Sequence, residues 1–128
     1  MVDYLVYSAI QTPDGTILES RHRHDYRTYV DTESGEGYMI DGGLDYMRGN
    51  VNKVPAKDLS VRLSDGHEKV REVVTWGTRG KNGDQPLRYI ALKDMETDHI
   101  KACLETQHHM YPGYKIAFKN ELDYRGEQ

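Results

Sequence analysis

Lys57-Asp58-Leu59-Ser60-Val61-Arg62-Leu63-Ser64-Asp65-Gly66-His67-Glu68-Lys69-Val70-Arg71-Glu72-Val73-Val74-Thr75 is where the chain changes period. Leu59, Val61 and Leu63 alternate with polar residues, which is the spacing of a half-buried strand. Val70, Val73 and Val74 then recur at helical spacing. Asp65 with Glu68 three residues on has the form of a capping box, so the pattern predicts a short helix over 65–75. Gly77 is a natural positive-φ stop for it. The switch divides the chain into strands before and helices after.

Working back from that point, Tyr4 to Ile10 is rich in strand formers and too short for a helix. Thr12-Pro13-Asp14-Gly15 is a turn, with proline pre-set for its second position. Residues 16–30 read as one long strand that makes a hairpin with the first. Asp31 to Gly37 is a polar turn, Tyr38-Met39-Ile40 returns, and Asp41-Gly42-Gly43 breaks the ladder before a short strand or turn over 44–48. Working forward, Leu87 to Lys93 is a strand or extended segment. Thr97 or Asp98 caps a second helix with Ile100, Cys103, Leu104 and Gln107 on one face. Pro112-Gly113 breaks it, and 114–125 forms a third helix with Ala117, Phe118, Glu121, Leu122 and Arg125 along one face. The expected class is α+β: an antiparallel β-sheet in the N-terminal half covered by two to three C-terminal α-helices, in a single domain over 1–128.

A net charge of −4 argues against binding long nucleic acid, because neutralising many phosphates needs more spare cation than this chain has. A single cysteine, Cys103, excludes an internal disulfide and suits a reducing cytoplasm. No stretch approaches the length of a membrane span, so no membrane partner is expected. Ten tyrosines against one phenylalanine and one tryptophan suggest aromatic rings held half-buried or at interfaces.

The strongest chemical signal is Trp76-Gly77-Thr78-Arg79-Gly80-Lys81-Asn82-Gly83-Asp84-Gln85-Pro86. Glycine permits positive φ, so such a loop can fold back and aim successive N–H groups at one anion. Arg79 and Lys81 add charge, and Trp76 offers a flat surface for a base. Gly83 is followed by Asp84, so the phosphate-binding P-loop pattern is missed, as is the dinucleotide fingerprint. A plain exposed connection has the same composition, and both readings stand.

Arg21-His22-Arg23-His24-Asp25-Tyr26-Arg27 falls inside the expected long strand. Alternation would place Arg21, Arg23, Asp25 and Arg27 on one face and His22, His24 and Tyr26 on the other. The first face suits phosphate or carboxylate. The second could hold a metal, but the glutamate expected four or five residues on is replaced by Thr28 and Tyr29. A third reading has the histidines and Tyr26 buried and the arginines in solvent. His108-His109 is best placed as a helix-end cation pair, and Cys103 as an inert core thiol.

His22-Arg23-His24-Asp25-Tyr26-Arg27, Met39-Ile40-Asp41-Gly42-Gly43-Leu44-Asp45-Tyr46, Gly80-Lys81-Asn82-Gly83-Asp84-Gln85-Pro86-Leu87 and Glu121-Leu122-Asp123-Tyr124-Arg125 together resemble one family. It is the first family of anti-Thoeris proteins, phage sponges that sequester cyclic ADP-ribose signals made by bacterial TIR-domain enzymes. The resemblance spans nearly the whole chain. It implies an immune-evasion protein of the host bacterial cytoplasm that encloses a cyclic nucleotide at the subunit interfaces of a homodimer, with dimers building a hexamer. It implies binding without cleavage, no cofactor and no metal. Trp76 would be the aromatic at the closing loop, with Arg79, Gly80, Lys81 and Asn82 as loop contacts. Arg27 and Arg125 are the nearest candidates for a separate cyclic-oligonucleotide site, and Arg23 and Arg48 complete the arginines expected to reach ligand. The chain departs from the family pattern at His108, His109 and Met110, where arginines one turn apart are expected. Two alternatives from other classes are a protein–protein inhibitor of a host factor and a phosphodiesterase using His22, His24 and Asp25.

Overall fold

A computed structural model describes residues 2–80 and 82–126. Lys81, one of the candidate loop contacts, lies outside the described residues. The fold is α+β, with antiparallel sheets mostly in the N-terminal part and three α-helices mostly C-terminal. The strands do not merge into one sheet: they form two three-stranded and two two-stranded sheets. The chain divides into two compact units, one from Tyr7 to Val61 and one made of residues up to Val6 together with those from Arg62 onward.

In the Tyr7–Val61 unit, β2 (Ala9–Gln11) pairs antiparallel with β3 (Ile17–Glu19) on one side and β7 (Lys57–Asp58) on the other. The expected turn joins β2 to β3, with Thr12 N–H donating to Thr16 O and Gly15 N–H to Thr12 O. The second sheet is β4 (Arg27–Val30), β5 (Gly37–Asp41) and β6 (Arg48–Gly49). Leu18, Tyr38 and Ile40 form the unit's apolar cluster, with Ile10, Tyr29 and Ala56 packed against it. The buried Tyr38 keeps its hydroxyl satisfied by donating to the Val54 carbonyl.

The long strand expected over 16–30 is broken. Between β3 and β4 the Ser20 hydroxyl donates to the Asp25 carbonyl (2.7 Å), and the buried Asp25 carboxylate accepts the Arg21 N–H (2.7 Å). His24 turns the chain at a φ of 63°. Local side-chain bonds to the backbone here outcompete a sheet ladder, which is what short polar residues do at turns. The alternation of arginines and histidines on opposite faces therefore does not exist. Gly43 packs against this turn: its N–H donates to Ser20 Oγ (2.8 Å), and a Cβ there would sit 2.5 Å from the His22 backbone.

In the other unit, the first stop is a 3-10 turn over Leu63–Asp65, followed by α1 (His67–Val73). Asp65 does cap, but its carboxylate accepts the Arg62 N–H (2.8 Å), so it closes the 3-10 turn; Gly66 begins α1. The helix ends at Val74, three residues short of Gly77, because 75–78 are drawn into a strand. That strand is β9 (Thr75–Thr78), which pairs antiparallel with β10 (Arg88–Ala91). A 3-10 turn (Leu92–Asp94) leads into α2 (Thr97–Thr106), and α3 (Pro112–Tyr124) follows with Pro112 in its first turn, where the missing N–H costs nothing. Ile100, Cys103, Ala117, Phe118 and Leu122 are buried as the helical spacing predicts. Burial pushes the Cys103 thiol up. His108 and His109 stand exposed in a turn at the end of α2, directly after its C-cap residue Gln107. β1 (Leu5–Tyr7) and β8 (Val61–Arg62) form a two-stranded ladder.

Candidate functional site

The glycine-rich stretch is the connection of a β-hairpin. Thr75, Trp76 and Thr78 against Tyr89 and Ile90 are strand formers, and the register pairs Arg88 with Thr78 and Ile90 with Trp76. Directly opposed residues share a face, so Trp76, Thr78, Arg88 and Ile90 stand on one side of the hairpin. The loop folds back as the glycines allow: Gly80 has a φ of 85°, and a Cβ there would lie 2.8 Å from Gln85 Cγ. The fold-back uses its own donors. Gly80 N–H donates to Thr78 Oγ1 (3.2 Å), Gly83 N–H to Gly80 O (3.2 Å) and Gln85 N–H to Arg79 O (2.8 Å). Those three N–H groups are therefore not aimed at an anion. Arg79 and Asn82 are exposed on the loop.

Beside the hairpin lies a cleft of about 470 Å³ lined by Thr78, Gly80, Arg88, Ile90, Asp94, Glu96 and His99. β9 and β10 supply Thr78, Arg88 and Ile90; the 3-10 turn and the start of α2 supply the acids and the histidine. Among the described residues, the side chains of Arg88, Asp94, Glu96 and His99 make no hydrogen bond or ion pair within the protein. Trp76 is half-buried on the same hairpin face, where its indole packs edge-on against Phe118 of α3 at 5.5 Å between centroids.

A second constellation joins Glu121 and Arg125, which the helical spacing placed on one face, to Arg71 and His67, which it did not. The carboxylate of Glu121, fully buried on α3, accepts Arg71 Nε on Oε1 and Arg71 Nη2 on Oε2, both at 2.8 Å. Arg125 Nε donates to Oε2 at 2.6 Å, and His67 Nε2 lies 2.9 Å from Oε1. Burial pushes the Glu121 carboxyl up, but the hydrogen bonds from Arg71, Arg125 and His67 outweigh it and hold it down at about 2. Bonding to the same carboxylate pushes Arg71 up. The Arg71 guanidinium also lies 4.5 Å from the centre of the Tyr124 ring. With its proton on Nε2, His67 leaves Nδ1 buried without a partner. The i,i+4 pairs His67/Arg71 and Glu121/Arg125 were the available signal, because each places two polar groups on one helix face.

Arg125, a ligand candidate from the sequence, is spent internally. Its Nη1 donates to Thr97 Oγ1 (3.0 Å) and its Nη2 to the Leu92 carbonyl (3.0 Å), so it pins the segment that carries Asp94 and Glu96. In the Tyr7–Val61 unit, Arg23 pairs with Asp45 (3.2 Å), Arg27 with the buried Asp25 (2.9 Å) and Arg48 with the buried Asp41 (2.8 Å). Burial raises the Asp25 carboxyl, and the Arg21 N–H and the Arg27 guanidinium more than reverse that, leaving it lowered. Arg27 and Arg125 belong to different units and each has its own carboxylate. His22 and His24 share a turn, His24 Nδ1 standing 2.9 Å from the Tyr46 hydroxyl. No group of three or more His, Cys, Asp or Glu with metal-holding geometry occurs among the described residues. No helix among them is long and apolar enough to cross a membrane.

Comparison with protein-family models, curated proteins and solved structures finds no match.

Proposed function

We propose that this protein binds a small cyclic nucleotide of the cyclic ADP-ribose class in the cleft beside the glycine-rich hairpin and holds it without cleaving it. The observation that carries the reading is the convergence of four polar side chains, none of them hydrogen-bonded or ion-paired within the protein, on a concavity of about 470 Å³. That volume falls in the range of small-ligand and cofactor pockets. Arg88 supplies the cation for a phosphate, and Arg79 and Asn82 are exposed on the adjoining loop. The family resemblance supplies the biological setting: a phage protein acting in the bacterial cytoplasm as a homo-oligomer, a dimer building a hexamer, that removes an immune signal.

The test is incubation of purified protein with cyclic ADP-ribose isomers and cyclic oligonucleotides, removal of free ligand, heat denaturation and mass spectrometry of what is released. Intact ligand released only on denaturation is the expected result, with native mass spectrometry reporting the number of subunits that carry it. Arg88→Ala should weaken retention by about tenfold or more, the cost of one hydrogen bond to a charged group. A processed product would overturn the absence of chemistry and move attention to His22 and His24. Nothing retained would overturn the nucleotide reading and favour a protein partner.

A further inference from the structure

The cleft is unusual for a phosphate site, because two carboxylates line it against one arginine. We infer that Asp94 and Glu96 recognise ribose hydroxyls, so the site selects ribonucleotides over their deoxy counterparts. This rests on the nucleotide reading above and adds the sugar to it.

Ionised carboxylates only accept hydrogen bonds. Whatever lies against Asp94 and Glu96 must therefore donate, and a phosphate there would meet like charge. The lining thus offers partners of two kinds. Arg88, on β10 opposite Thr78, takes an anion; the 3-10 turn and the residue preceding α2 take a group with O–H or N–H donors. A ribose diol offers two O–H donors on adjacent carbons. Carboxylate recognition of a ribose hydroxyl is the solution that dinucleotide folds use for the same contrast. Both acids are exposed and neither makes a hydrogen bond or ion pair within the protein, Asp94 only lying in the field of Arg71, so their acceptors are available to a ligand. The segment that bears them is fixed from behind, because Arg125 bonds the Leu92 carbonyl and Thr97 Oγ1 on either side of it. A positioned acceptor discriminates better than a mobile one, since less ordering is needed on binding.

The experiment measures binding of cyclic ADP-ribose and of analogues lacking one ribose hydroxyl, by calorimetry, to the intact protein and to Asp94→Ala and Glu96→Ala. Loss of a hydroxyl facing these acids should weaken binding by about tenfold to a hundredfold, the range for a hydrogen bond to a charged group. In the alanine variants that preference should collapse while the fold, checked by thermal unfolding, is unchanged. Equal affinity for every deoxy analogue in the intact protein would overturn the ribose assignment and leave nucleotide binding standing. A preference that survives both alanine variants would overturn the assignment to these residues. Absence of binding by all probes would overturn the nucleotide reading and this inference with it.

Discussion

Replacing Glu121 with glutamine removes one negative charge from a fully buried position while keeping the side chain's size. Two arginines are then left facing an amide whose nitrogen donates instead of accepting. Arg71 loses its bidentate partner, and Arg125 loses its shortest bond, at 2.6 Å. Breaking a buried ion pair from one side costs about 3–5 kcal/mol, because the surviving charge stays desolvated. The same hydrogen bonds hold the carboxyl down at about 2, below the ordinary 4.5, and at about 1.4 kcal/mol per pH unit that gap corresponds to about 3–4 kcal/mol, the same order. For a chain of this size, a loss of that order lowers Tm by about 10–20 °C.

The pH dependence separates this account from simple loss of packing. A carboxyl whose folded pKa is depressed stabilises the protein above its unfolded pKa, and that contribution fades as pH falls through the folded pKa. The stability difference between the native protein and Glu121→Gln should therefore be full at pH 7 and still full at pH 5. It should shrink steadily from about 4.5 toward about 2. Other carboxylates titrate in the same window, but they are common to both proteins and cancel in the difference. Chemical denaturation followed by circular dichroism at a series of pH values measures it. A difference below about 1 kcal/mol at pH 7, or one that stays constant down to pH 2.5, would refute the assignment of the cluster as an ionic clamp.

Trp76→Ala should cost about 3 kcal/mol of stability, the low end for an aromatic truncation since the indole is half-buried against Phe118; an unchanged Tm would contradict that packing. Trp76 is also the chain's one tryptophan, so its fluorescence should report both unfolding and any ligand that enters beside the hairpin. Gly43→Ala should disrupt the turn that replaces the expected long strand, because a Cβ would meet the His22 backbone at 2.5 Å; native-like amide exchange at position 43 and at Arg21 in that variant would show the contact to be loose. Asp14→Ala should speed amide exchange at Thr16 and Thr32, whose N–H groups donate to its carboxylate at 3.0 and 2.9 Å, and leave α1 to α3 protected.

The class of fold was legible because it rests on periodicity. Val70, Ile100, Ala117, Phe118 and Leu122 all fell on the buried faces that their spacing assigned. What the sequence hid was competition between local and ladder hydrogen bonding. Residues 16–30 have strand composition throughout, yet Ser20 and Asp25 close a turn, and only their coordinates reveal that the hydroxyl and carboxylate reach back to the chain. The same holds at Asp65, which caps, but for a 3-10 turn and not for α1. The glycine-rich loop was legible as a fold-back, while its spent N–H groups were not. The cleft acids were invisible because Asp94 and Glu96 look like any exposed pair until β10 and α2 bring them beside Arg88.

Arg125 joins the two constellations. The family resemblance makes it a candidate ligand contact; in the fold it bonds Glu121 on one side and the 92–97 segment on the other. For the ligand proposed above, its effect is then indirect, through the position of Asp94 and Glu96. Arg125→Lys distinguishes the two roles, since lysine keeps the charge but cannot hold a carboxylate, a hydroxyl and a carbonyl at once with a planar fork. If Arg125 met phosphate, lysine would retain much of the affinity, and the salt dependence of binding would persist. If it positions the acids, lysine should lower Tm and erode the preference for ribose hydroxyls, while the contribution of Arg88, measured by Arg88→Ala in both backgrounds, stays the same. Coupling between Arg88 and Arg125 in that double-mutant cycle would place both on one ligand group and overturn the positioning role.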